Sequence, residues 1–225
     1  MKKAKIADIF FSQQGEGVYA GIPQVFIRFY GCMCHCRFCD TPLNHYEKYS
    51  PLEAYYEIKR FTQGFHSLCI TGGEPLLNAD FLWEFLKLVK YDGIKTYLET
   101  NGILADQLER LIDDIDIIAM DFKLPSSTGM RQYWNEHRQF LERARQKEVF
   151  VKMVICLDTT LEDIDQAIAI LREAKANDIP VVLQPNFFEL GKELLAYLRQ
   201  LKSHCRKHLK QVEVIPQLHK ITGVK

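Results

Sequence analysis

Short apolar runs rich in β-branched residues recur along the chain, and helical patterns separate most of them. Strand–helix alternation of this kind predicts parallel strands joined by crossover helices. About six such units are too few for a closed eight-unit barrel, which takes roughly 250 residues. We therefore expect an α/β fold whose parallel sheet is open or forms a partial barrel. The predicted strands are 25–30, 67–70, 96–100, 116–122, 149–155, 181–185 and 212–216.

Helix boundaries can be read from several of the intervening segments. Ser50, Pro51 and Glu53 form a helix start, with a serine cap, a proline in the first turn and the glutamate of a capping box. Asn78 is expected to cap the next helix, which should end before Gly93. Further helices are predicted at 130–148, 160–177 and 190–208.

The composition is that of a chain with a substantial core and balanced charge. Hydrophobic residues make up 47% and charged residues 26%, as in globular domains. Because Lys+Arg and Asp+Glu both number 29, no basic surface for a nucleic acid or a membrane is indicated. No apolar run is long enough to span a bilayer. The N-terminal segment, interrupted by Asp8, lacks a signal-peptide cleavage site, and residues 1–225 are predicted to form one domain.

Polar and charged residues stand where several of the predicted strands end. The segment TGGEP at 71–75 follows the strand at 67–70, and Glu99, Asp121 and Gln184 end later strands. In parallel α/β folds, the carboxyl ends of the strands form the active face. We therefore expect these scattered residues to converge on one mouth of the sheet.

The cysteines are distributed unevenly. Of seven, Cys32, Cys34, Cys36 and Cys39 fall within eight residues. Such clustering indicates a metal site rather than a disulfide framework, and a reducing, cytoplasmic location. The spacing Cys32-x-x-x-Cys36-x-x-Cys39 supplies three thiolates from one loop. On a cubane of four irons, three protein ligands leave one iron open for a further ligand.

Other assignments of these cysteines remain open. A zinc site could use Cys34 as a fourth ligand, although four thiols this closely spaced would struggle to form one tetrahedron. No second Cys-x-x-Cys or histidine pair follows downstream. Cys34 could also replace Cys32 or Cys36 as a cluster ligand, or have no metal role.

The cysteine spacing and the TGGEP segment together resemble the radical S-adenosylmethionine (SAM) superfamily. Cys-x-x-x-Cys-x-x-Cys after a first strand is its signature, and Gly73 and Glu74 stand in what resembles its second motif. In that superfamily the second motif grips the amino group of SAM, a task that suits a carboxylate and strand-end carbonyls. The resemblance implies a partial (β/α)6 barrel of parallel strands, with a [4Fe–4S] cluster on Cys32, Cys36 and Cys39.

Further segments narrow the resemblance to the 7-carboxy-7-deazaguanine synthases. The resemblance covers almost the whole chain, and the QGEG and QLHK segments are not general radical SAM motifs. The similar segments are FFSQQGEGVYAGIPQVFIRFYGC at 10–32, CDT at 39–41, LETNG at 98–102, DFKLPSS at 121–127, LQP at 183–185 and QLHKITGV at 217–224.

The resemblance implies a lyase reaction. The substrate would be 6-carboxy-5,6,7,8-tetrahydropterin, and the products would be 7-carboxy-7-deazaguanine and ammonia, in a step towards queuosine and related 7-deazapurines. The reduced cluster would cleave SAM to a radical that abstracts hydrogen from C6 of the substrate. The ring would contract and the hydrogen would return, so that SAM is regenerated. The protein would position the reacting carbon and exclude water.

Substrate contacts are also implied by the resemblance. Gln14 and Glu16 would meet the amide edge of the pterin, because a carboxylate can accept two N–H bonds from it. Arg28 would clamp the substrate carboxylate with its planar fork of donors. The terminal carboxylate of Lys225 would accept hydrogen bonds from the ring. The remaining residues implied at the substrate site are Thr71, Gly73, Glu99 and His219.

SAM and a magnesium ion are the other implied ligands. Lys123 would pair with the carboxylate of SAM, and Thr41 stands at the family's magnesium position. A hydroxyl, a substrate carboxylate and waters suit Mg²⁺. No protein acid or base is assigned. The residues implied at the SAM site are Gly73, Glu74, Asp121, Lys123, Ser126 and Gln184.

The resemblance implies a reductant such as flavodoxin or ferredoxin and a homodimer, with no nucleic-acid or membrane partner. The chain departs from the family pattern in the extra cysteine of GCMCHCRFC and in NFFE at 186–189. Two other functions stay open. A glycyl-radical activase would share the cluster and the GGE motif, but it has no pterin for the QGEG and QLHK segments to bind. A zinc-binding module would have no catalytic activity.

Overall fold

The computed structural model describes residues 2–39, 44–61 and 64–223. Its strands are β1 (Ala4–Gln13), β2 (Pro23–Phe29), β3 (Glu47–Tyr49), β4 (Ser67–Gly72), β5 (Thr96–Thr100), β6 (Ile117–Asp121), β7 (Glu148–Ile155), β8 (Val181–Pro185) and β9 (Val212–Val214). In the described part of the chain they form one open sheet, in the order β3-β1-β2-β4-β5-β6-β7-β8-β9.

The helices are α1 (Pro51–Lys59), α2 (Ala79–Tyr91), α3 (Ala105–Leu111), α4 (Pro125–Thr128), α5 (Trp134–Ala144), α6 (Leu161–Glu173), α7 (Lys192–Cys205) and α8 (Leu218–Thr222). Short 3-10 turns lie at Gly17–Tyr19, Pro75–Asn78, Ile112–Asp114 and Phe187–Glu189. No helix in the described residues is long and apolar enough to cross a membrane.

The parallel part of the sheet runs from β2 through β4 to β9, each strand pairing with the next. Six helices, α1, α2, α3, α5, α6 and α7, connect these strands in succession. The prediction of an α/β fold with a partial (β/α)6 barrel is therefore confirmed. That residues 1–225 form one domain stays a prediction.

Two strands of the sheet are not predicted from the sequence. β1 pairs antiparallel with β2, from Ile6 opposite Phe29 to Gln13 opposite Pro23, and β3 pairs with the outer edge of β1. The pairing shifts register between Ile6 and Asp8. Such an irregularity breaks the alternation of apolar and polar residues that marks a strand. This explains why β1 cannot be recognised as a strand from its sequence.

The two predicted helix caps have different outcomes. Ser50 Oγ accepts from the Glu53 amide at 3.3 Å and the Glu53 carboxylate accepts from the Ser50 amide at 2.7 Å, so the capping box is confirmed. Asn78 holds the N-cap position of α2, and the helix ends at Tyr91, before Gly93, as predicted, but the Asn78 side chain makes no capping hydrogen bond. The residue also ends a 3-10 turn. Glu74 caps that turn instead, accepting from the Leu76 amide at 3.0 Å.

Both faces of the parallel sheet are buried. The outer face packs against the helices, with β2 contributing Val25, Ile27 and Phe29. Alternate residues on the inner face form a second apolar layer, and side chains beyond this layer, towards the strand ends, are mainly polar. The inner apolar layer consists of Phe10, Phe26, Cys69, Tyr97, Ile117, Ala119, Phe150 and Val182.

Candidate active site

A cavity of about 510 Å³ opens at the carboxyl ends of the parallel strands. The structure brings most of the predicted site residues to its wall. Glu74 and Ser126 do not line it, and Thr41 and Lys225 lie outside the described residues. The predicted residues that line the cavity are Gln14, Glu16, Arg28, Cys32, Cys36, Cys39, Thr71, Gly73, Glu99, Asp121, Lys123, Gln184 and His219.

The cysteine loop follows β2 and borders this cavity. All four of its thiols line the wall. The Cys34 amide donates to Cys32 Sγ at 3.3 Å, and Asn101 Nδ2 lies 3.5 Å from Cys34 Sγ. A hydrogen bond from the Cys34 thiol, helped by the Lys123 ammonium and opposed by burial, lowers the pKa of Cys32 to about 6. Cys32 is thus predisposed to the thiolate form that binds metals.

The donor set of the cysteine loop, four thiols at the wall of one cavity, suits an iron–sulfur cluster. A zinc ion needs four ligands around one centre, whereas each thiolate of a [4Fe–4S] cluster binds a different iron. The cluster is the better fit for the loop, because three of its thiols are spread along the cavity wall: Cys32, Cys36 and Cys39.

Gly72 and Gly73 bring β4 against the cysteine loop. The Gly73 amide donates to Phe29 O and the Glu74 amide to Gly31 O, both at 2.9 Å. Gly72 has a φ of +127°, and a Cβ at Gly73 would overlap the backbone of Gly31. Only glycine permits this close approach, so the two motifs of the sequence are held together by backbone contact.

The position of Glu74 corrects the role predicted for its carboxylate. The side chain is fully buried behind the cavity wall. Its oxygens accept from Leu76 N at 3.0 Å, Thr100 Oγ1 at 2.9 Å and Asn101 N at 2.8 Å. A carboxylate already occupied by these three donors ties β4 to the loop after β5, and it does not face a ligand in the cavity.

Glu99, Gln14 and Thr71 form one hydrogen-bonded group on the inner face. Gln14 Nε2 donates to Glu99 Oε1 at 2.9 Å, and Thr71 Oγ1 donates to Glu99 Oε2 at 2.6 Å. Gln14 also donates to Gln24 Oε1 at 2.9 Å. Burial, opposed by Lys152 and by these donors, raises the pKa of Glu99. The strand-end convergence predicted from the sequence therefore holds for Thr71 and Glu99, and Gln14 from the end of β1 joins them.

Two carboxylates and two ammonium groups form a chain across the cavity. Lys152 pairs with Glu16 and lies 3.5 Å from Asp121, and Lys123 lies 2.8 Å from Asp121. The pKa values of Glu16 and Asp121 are below their ordinary range because the ammonium groups outweigh burial. Both carboxylates are therefore held ionised inside the barrel.

Lys152 is missed by the sequence reasoning, although the sequence carries a signal for it. In VFVKMVI at 149–155, one lysine interrupts a run that is otherwise apolar. A charged residue in a fully buried strand requires a charged partner, so the lysine marks the inner, polar face. Asn101, Gln217 and Asn186, which also line the cavity, carry no comparable signal.

Two polar atoms at the wall have no hydrogen-bond partner within the described chain. They are Gln184 Oε1 and Asp121 Oδ1, of which Asp121 Oδ1 has an ion-pair contact with Lys152 at 3.5 Å. Buried acceptors in native proteins are almost always hydrogen-bonded. Because Gln184 lines the cavity, its orphaned oxygen fits a ligand that brings N–H or O–H donors.

Arg28 lies on the inner face of β2, with its guanidinium 5.0 Å from the centre of the Phe10 ring. Stacking on an aromatic face fixes the plane of a guanidinium while leaving its N–H donors free. The arrangement suits the binding of an anionic group from the cavity.

Ser126 departs from its predicted position. Its amide donates to Asp163 Oδ2 at 2.8 Å, and its hydroxyl bonds the same oxygen. The residue lies in α4, and it is not part of the cavity wall. Its contacts join α4 to α6, so the structure gives it a supporting place behind the site.

The QGEG and QLHK segments meet at the cavity, although they stand about 200 residues apart. The Leu218 amide donates to Gly15 O at 2.8 Å, and Gln217 Nε2 donates to Glu16 Oε1 at 2.8 Å. A Cβ at Gly15 would overlap the His219 ring. Glycine at position 15 therefore allows α8 to bring His219 to the cavity wall.

His137 supports the site from behind. It is fully buried, its ring stacks on Phe122 at 4.9 Å, Nδ1 bonds Gly102 O at 3.0 Å, and Nε2 accepts from the Lys123 amide at 3.0 Å. These two bonds require the neutral ring protonated on Nδ1. Burial lowers the pKa of His137 to about 4.

This lowered pKa predicts a pH-dependent stability. In the unfolded chain His137 has a pKa near 6.5 and is protonated below that pH, whereas in the folded protein it stays neutral down to about pH 4. The free energy of unfolding therefore falls as the pH drops from about 6.5 to about 4. The full effect is about 3 kcal/mol. Burial raises the pKa of Glu74 to about 7, which acts in the opposite direction. Thermal unfolding of the wild type and of His137→Phe at pH 5 and pH 7 separates the His137 effect from the Glu74 effect, because the variant lacks only the first. On acidification the Tm of the variant should fall less than the Tm of the wild type. An equal fall would contradict the role given to His137.

Comparisons with known proteins agree with this site. A profile of the Radical SAM superfamily matches residues 26–184. A 7-carboxy-7-deazaguanine synthase of Geobacter sulfurreducens is 35% identical, with 98% of this chain and 97% of the relative covered. One from Archaeoglobus fulgidus is 31% identical, with 99% and 100% covered. The chain belongs to the 7-carboxy-7-deazaguanine synthase family of the radical SAM superfamily.

The fold of this radical SAM enzyme matches a solved structure as well. The crystal structure of QueE from Escherichia coli superimposes with a TM-score of 0.68 and 21% identity, covering 96% of this chain and 95% of that one. As a member of the superfamily, the chain uses a [4Fe–4S] cluster and SAM. This membership sets aside the activase and the zinc-binding module as alternatives.

Proposed function

We propose that this radical SAM enzyme converts 6-carboxy-5,6,7,8-tetrahydropterin to 7-carboxy-7-deazaguanine and ammonia, on the route to queuosine. The observation that carries the proposal is the contact between the QGEG turn and the QLHK segment. Leu218 bonds Gly15 and Gln217 bonds Glu16, each at 2.8 Å, on the wall of the cavity that the cysteine loop also borders. Their place beside the cysteines supports a substrate site next to the cluster.

The chain's own residues are proposed to bind and orient the substrate. The carboxylates of Glu16 and Glu99 are placed to meet the aminopyrimidinone edge of the pterin, with Gln14 holding Glu99 by its amide. Arg28, stacked on Phe10, is placed for the substrate carboxylate. The apolar layer below them closes the base of the cavity and keeps water from the reacting carbon.

A second group of residues is proposed to hold SAM on the cysteine side. Lys123, held by Asp121 at 2.8 Å, would pair with the carboxylate of SAM, and Gln184 would contribute its unpartnered oxygen. The carbonyls near Gly73 suit the ammonium group, since the Glu74 carboxylate is occupied elsewhere. When bound, the cluster and SAM supply the radical that abstracts a hydrogen atom from the substrate.

The remaining parts of the proposal rest on the family resemblance. Mg²⁺ would bind at Thr41 together with the substrate carboxylate. A flavodoxin or ferredoxin would reduce the cluster, and the enzyme would act as a homodimer in the cytoplasm. The contribution of Lys225 to the substrate site stays a prediction, and so does the magnesium site, because both residues lie outside the described chain.

The carboxylate clamp at Arg28 gives a direct test of the substrate class. The cluster-loaded, SAM-bound enzyme should bind 6-carboxytetrahydropterin at least about tenfold more tightly than tetrahydropterin without the carboxylate, since a charge-assisted pair contributes about 1.5–3 kcal/mol. Arg28→Met should remove this preference, while Arg60→Met, at an exposed surface pair, should keep it. Equal affinity of the wild-type enzyme for the two pterins would sink the proposal.

A further inference from the structure

Lys152 stands at a position where an apolar side chain would be expected. Its neighbours on the inner face of β7, Phe150 and Val154, are buried, and its own side chain is only 12% exposed. Removing an ammonium group from water is costly even when it is paired, and well-packed apolar side chains often stabilise such positions as well or better. Stability alone therefore does not explain the lysine.

Two carboxylates from different elements hold the Lys152 ammonium. Glu16, in the turn after β1, accepts a hydrogen bond from Nζ, and Asp121, at the end of β6, lies 3.5 Å away. Gln217 donates to the other oxygen of Glu16, and Lys123 donates to the other oxygen of Asp121, both at 2.8 Å. In the described chain, Lys152 joins the Gln217–Glu16 pair to the Asp121–Lys123 pair.

The two carboxylates depend unequally on this lysine. Asp121 has a second ammonium partner in Lys123, whereas the other partner of Glu16 is the neutral amide of Gln217. Burial works to raise the pKa of Glu16, and the charge and hydrogen bond of Lys152 outweigh it, with help from Gln217. Loss of the lysine would remove the main influence that lowers the pKa of Glu16 and would leave burial, which raises it.

We propose that Lys152 is a positioning residue that keeps the Glu16 carboxylate in place to accept hydrogen bonds from the substrate ring. This inference rests on the proposed function, in which Glu16 meets the aminopyrimidinone edge. Adjacent N–H donors on that edge need an ionised carboxylate, because a protonated one presents an O–H donor in place of an acceptor. Lys152 thus acts through Glu16, and it links the substrate end of the site to the Asp121 end.

Other charged groups share the cavity and must be separated from Glu16 in any test. Burial raises the pKa of Glu99, and Lys152 opposes that effect. Removal of Lys152 would therefore act on Glu99 as well, and a double-mutant cycle with Glu16 is needed to isolate the pair. Besides the four thiols of the cysteine loop, the other charged and titratable groups at the wall are Glu99 from β5, Asp121 and Lys123 at β6, Arg28 from β2, and His219 and Lys220 from α8.

The experiment compares Lys152→Met, Lys152→Arg, Glu16→Gln and the double variant Glu16→Gln/Lys152→Met, with the exposed Lys207→Met as control. Lys152→Met should raise the KM for 6-carboxytetrahydropterin at neutral pH by at least about tenfold, the equivalent of one lost charge-assisted hydrogen bond. The dissociation constant of SAM should change by less than about threefold, because Asp121 keeps Lys123. Lys152→Arg should restore most of the substrate affinity.

The pH profile distinguishes positioning from simple structural loss. In Lys152→Met the pKa of Glu16 rises, so the acid limb of kcat/KM should move to higher pH, and KM should recover as the pH is raised. In the Glu16→Gln background, Lys152→Met should raise KM little further, because the group on which the lysine acts is gone. An unshifted acid limb, or effects that add fully in the double variant, would overturn the proposal.

A measurement without substrate keeps this proposal separate from the proposed function. Lys152→Met should lower the Tm of the cluster-loaded enzyme, and the added Glu16→Gln should recover most of the loss, since a neutral amide needs no cation. Absence of this recovery would contradict the coupling. If the wild-type enzyme binds no pterin while the Tm cycle shows the coupling, the proposed function fails and the link from Lys152 to Glu16 stands.

Discussion

Alanine at Cys32, Cys36 or Cys39 should abolish the iron–sulfur cluster and all turnover, whereas Cys34→Ala should retain both. Three thiolates each bind one iron of a [4Fe–4S] cluster. The spacing Cys-x-x-x-Cys-x-x-Cys is met by Cys32, Cys36 and Cys39 and leaves Cys34 outside this set. Cys34 also contacts Cys32 through its amide, a bond that alanine preserves. Iron and sulfide content, with electron paramagnetic resonance of the reduced protein, would check the result.

The outcome that contradicts this assignment is specific. If Cys34→Ala loses the cluster while Cys32→Ala or Cys36→Ala keeps it, Cys34 is a ligand and the spacing has been misread. The matched control is Cys205→Ala, at a buried cysteine of α7. That variant should keep its cluster with at most a modest loss of stability from the small cavity it creates.

Gly73→Ala should be strongly damaging to both the fold and the cluster. The added Cβ would overlap the Gly31 carbonyl and lie 3.0 Å from the Cys32 amide nitrogen. Both are backbone atoms, so relief requires moving the cysteine loop, and a loss of about 3 kcal/mol or more is expected. The variant should unfold at a lower temperature and retain little iron after reconstitution.

Gly191→Ala is the matched control for this steric argument. Gly191 has extended backbone, with a φ of −164°, and the nearest atom to its added Cβ is Glu189 O at 3.9 Å. Its replacement should cost less than about 1 kcal/mol and leave the cluster intact. If Gly73→Ala behaves like Gly191→Ala in both Tm and iron content, the close approach of β4 to the cysteine loop is not required.

The parallel part of the fold can be predicted from the sequence because each of its strands appears there as an apolar run. Strands such as β7 are buried on both faces, so their sequences are almost continuously apolar. β1 lacks this property. It carries an irregularity near Asp8 that interrupts the alternation of buried and exposed positions, so its sequence resembles neither an alternating strand nor a strand buried on both faces.

The site could be predicted as far as strand ends and motifs identify it. The TGGEP segment, Glu99, Asp121 and Gln184 are predicted to meet at one mouth of the sheet, since parallel strands end on the same side. The role of Glu74 was misjudged because a carboxylate in a motif reveals nothing about which donors reach it, and here Thr100 and Asn101 do. Ser126 departs from its predicted position for the same reason. Its hydrogen-bond partner, Asp163, is distant in sequence, so the contact cannot be read from the motif.

The measurement that tests the central claim most directly is anaerobic turnover. The cluster-loaded enzyme is incubated with 6-carboxytetrahydropterin, SAM, dithionite and Mg²⁺, and the products are identified by mass spectrometry. The account predicts 7-carboxy-7-deazaguanine and ammonia in equal amounts, with many turnovers for each SAM consumed. Consumption of SAM without any deazaguanine product, in a protein with a full cluster, would contradict it.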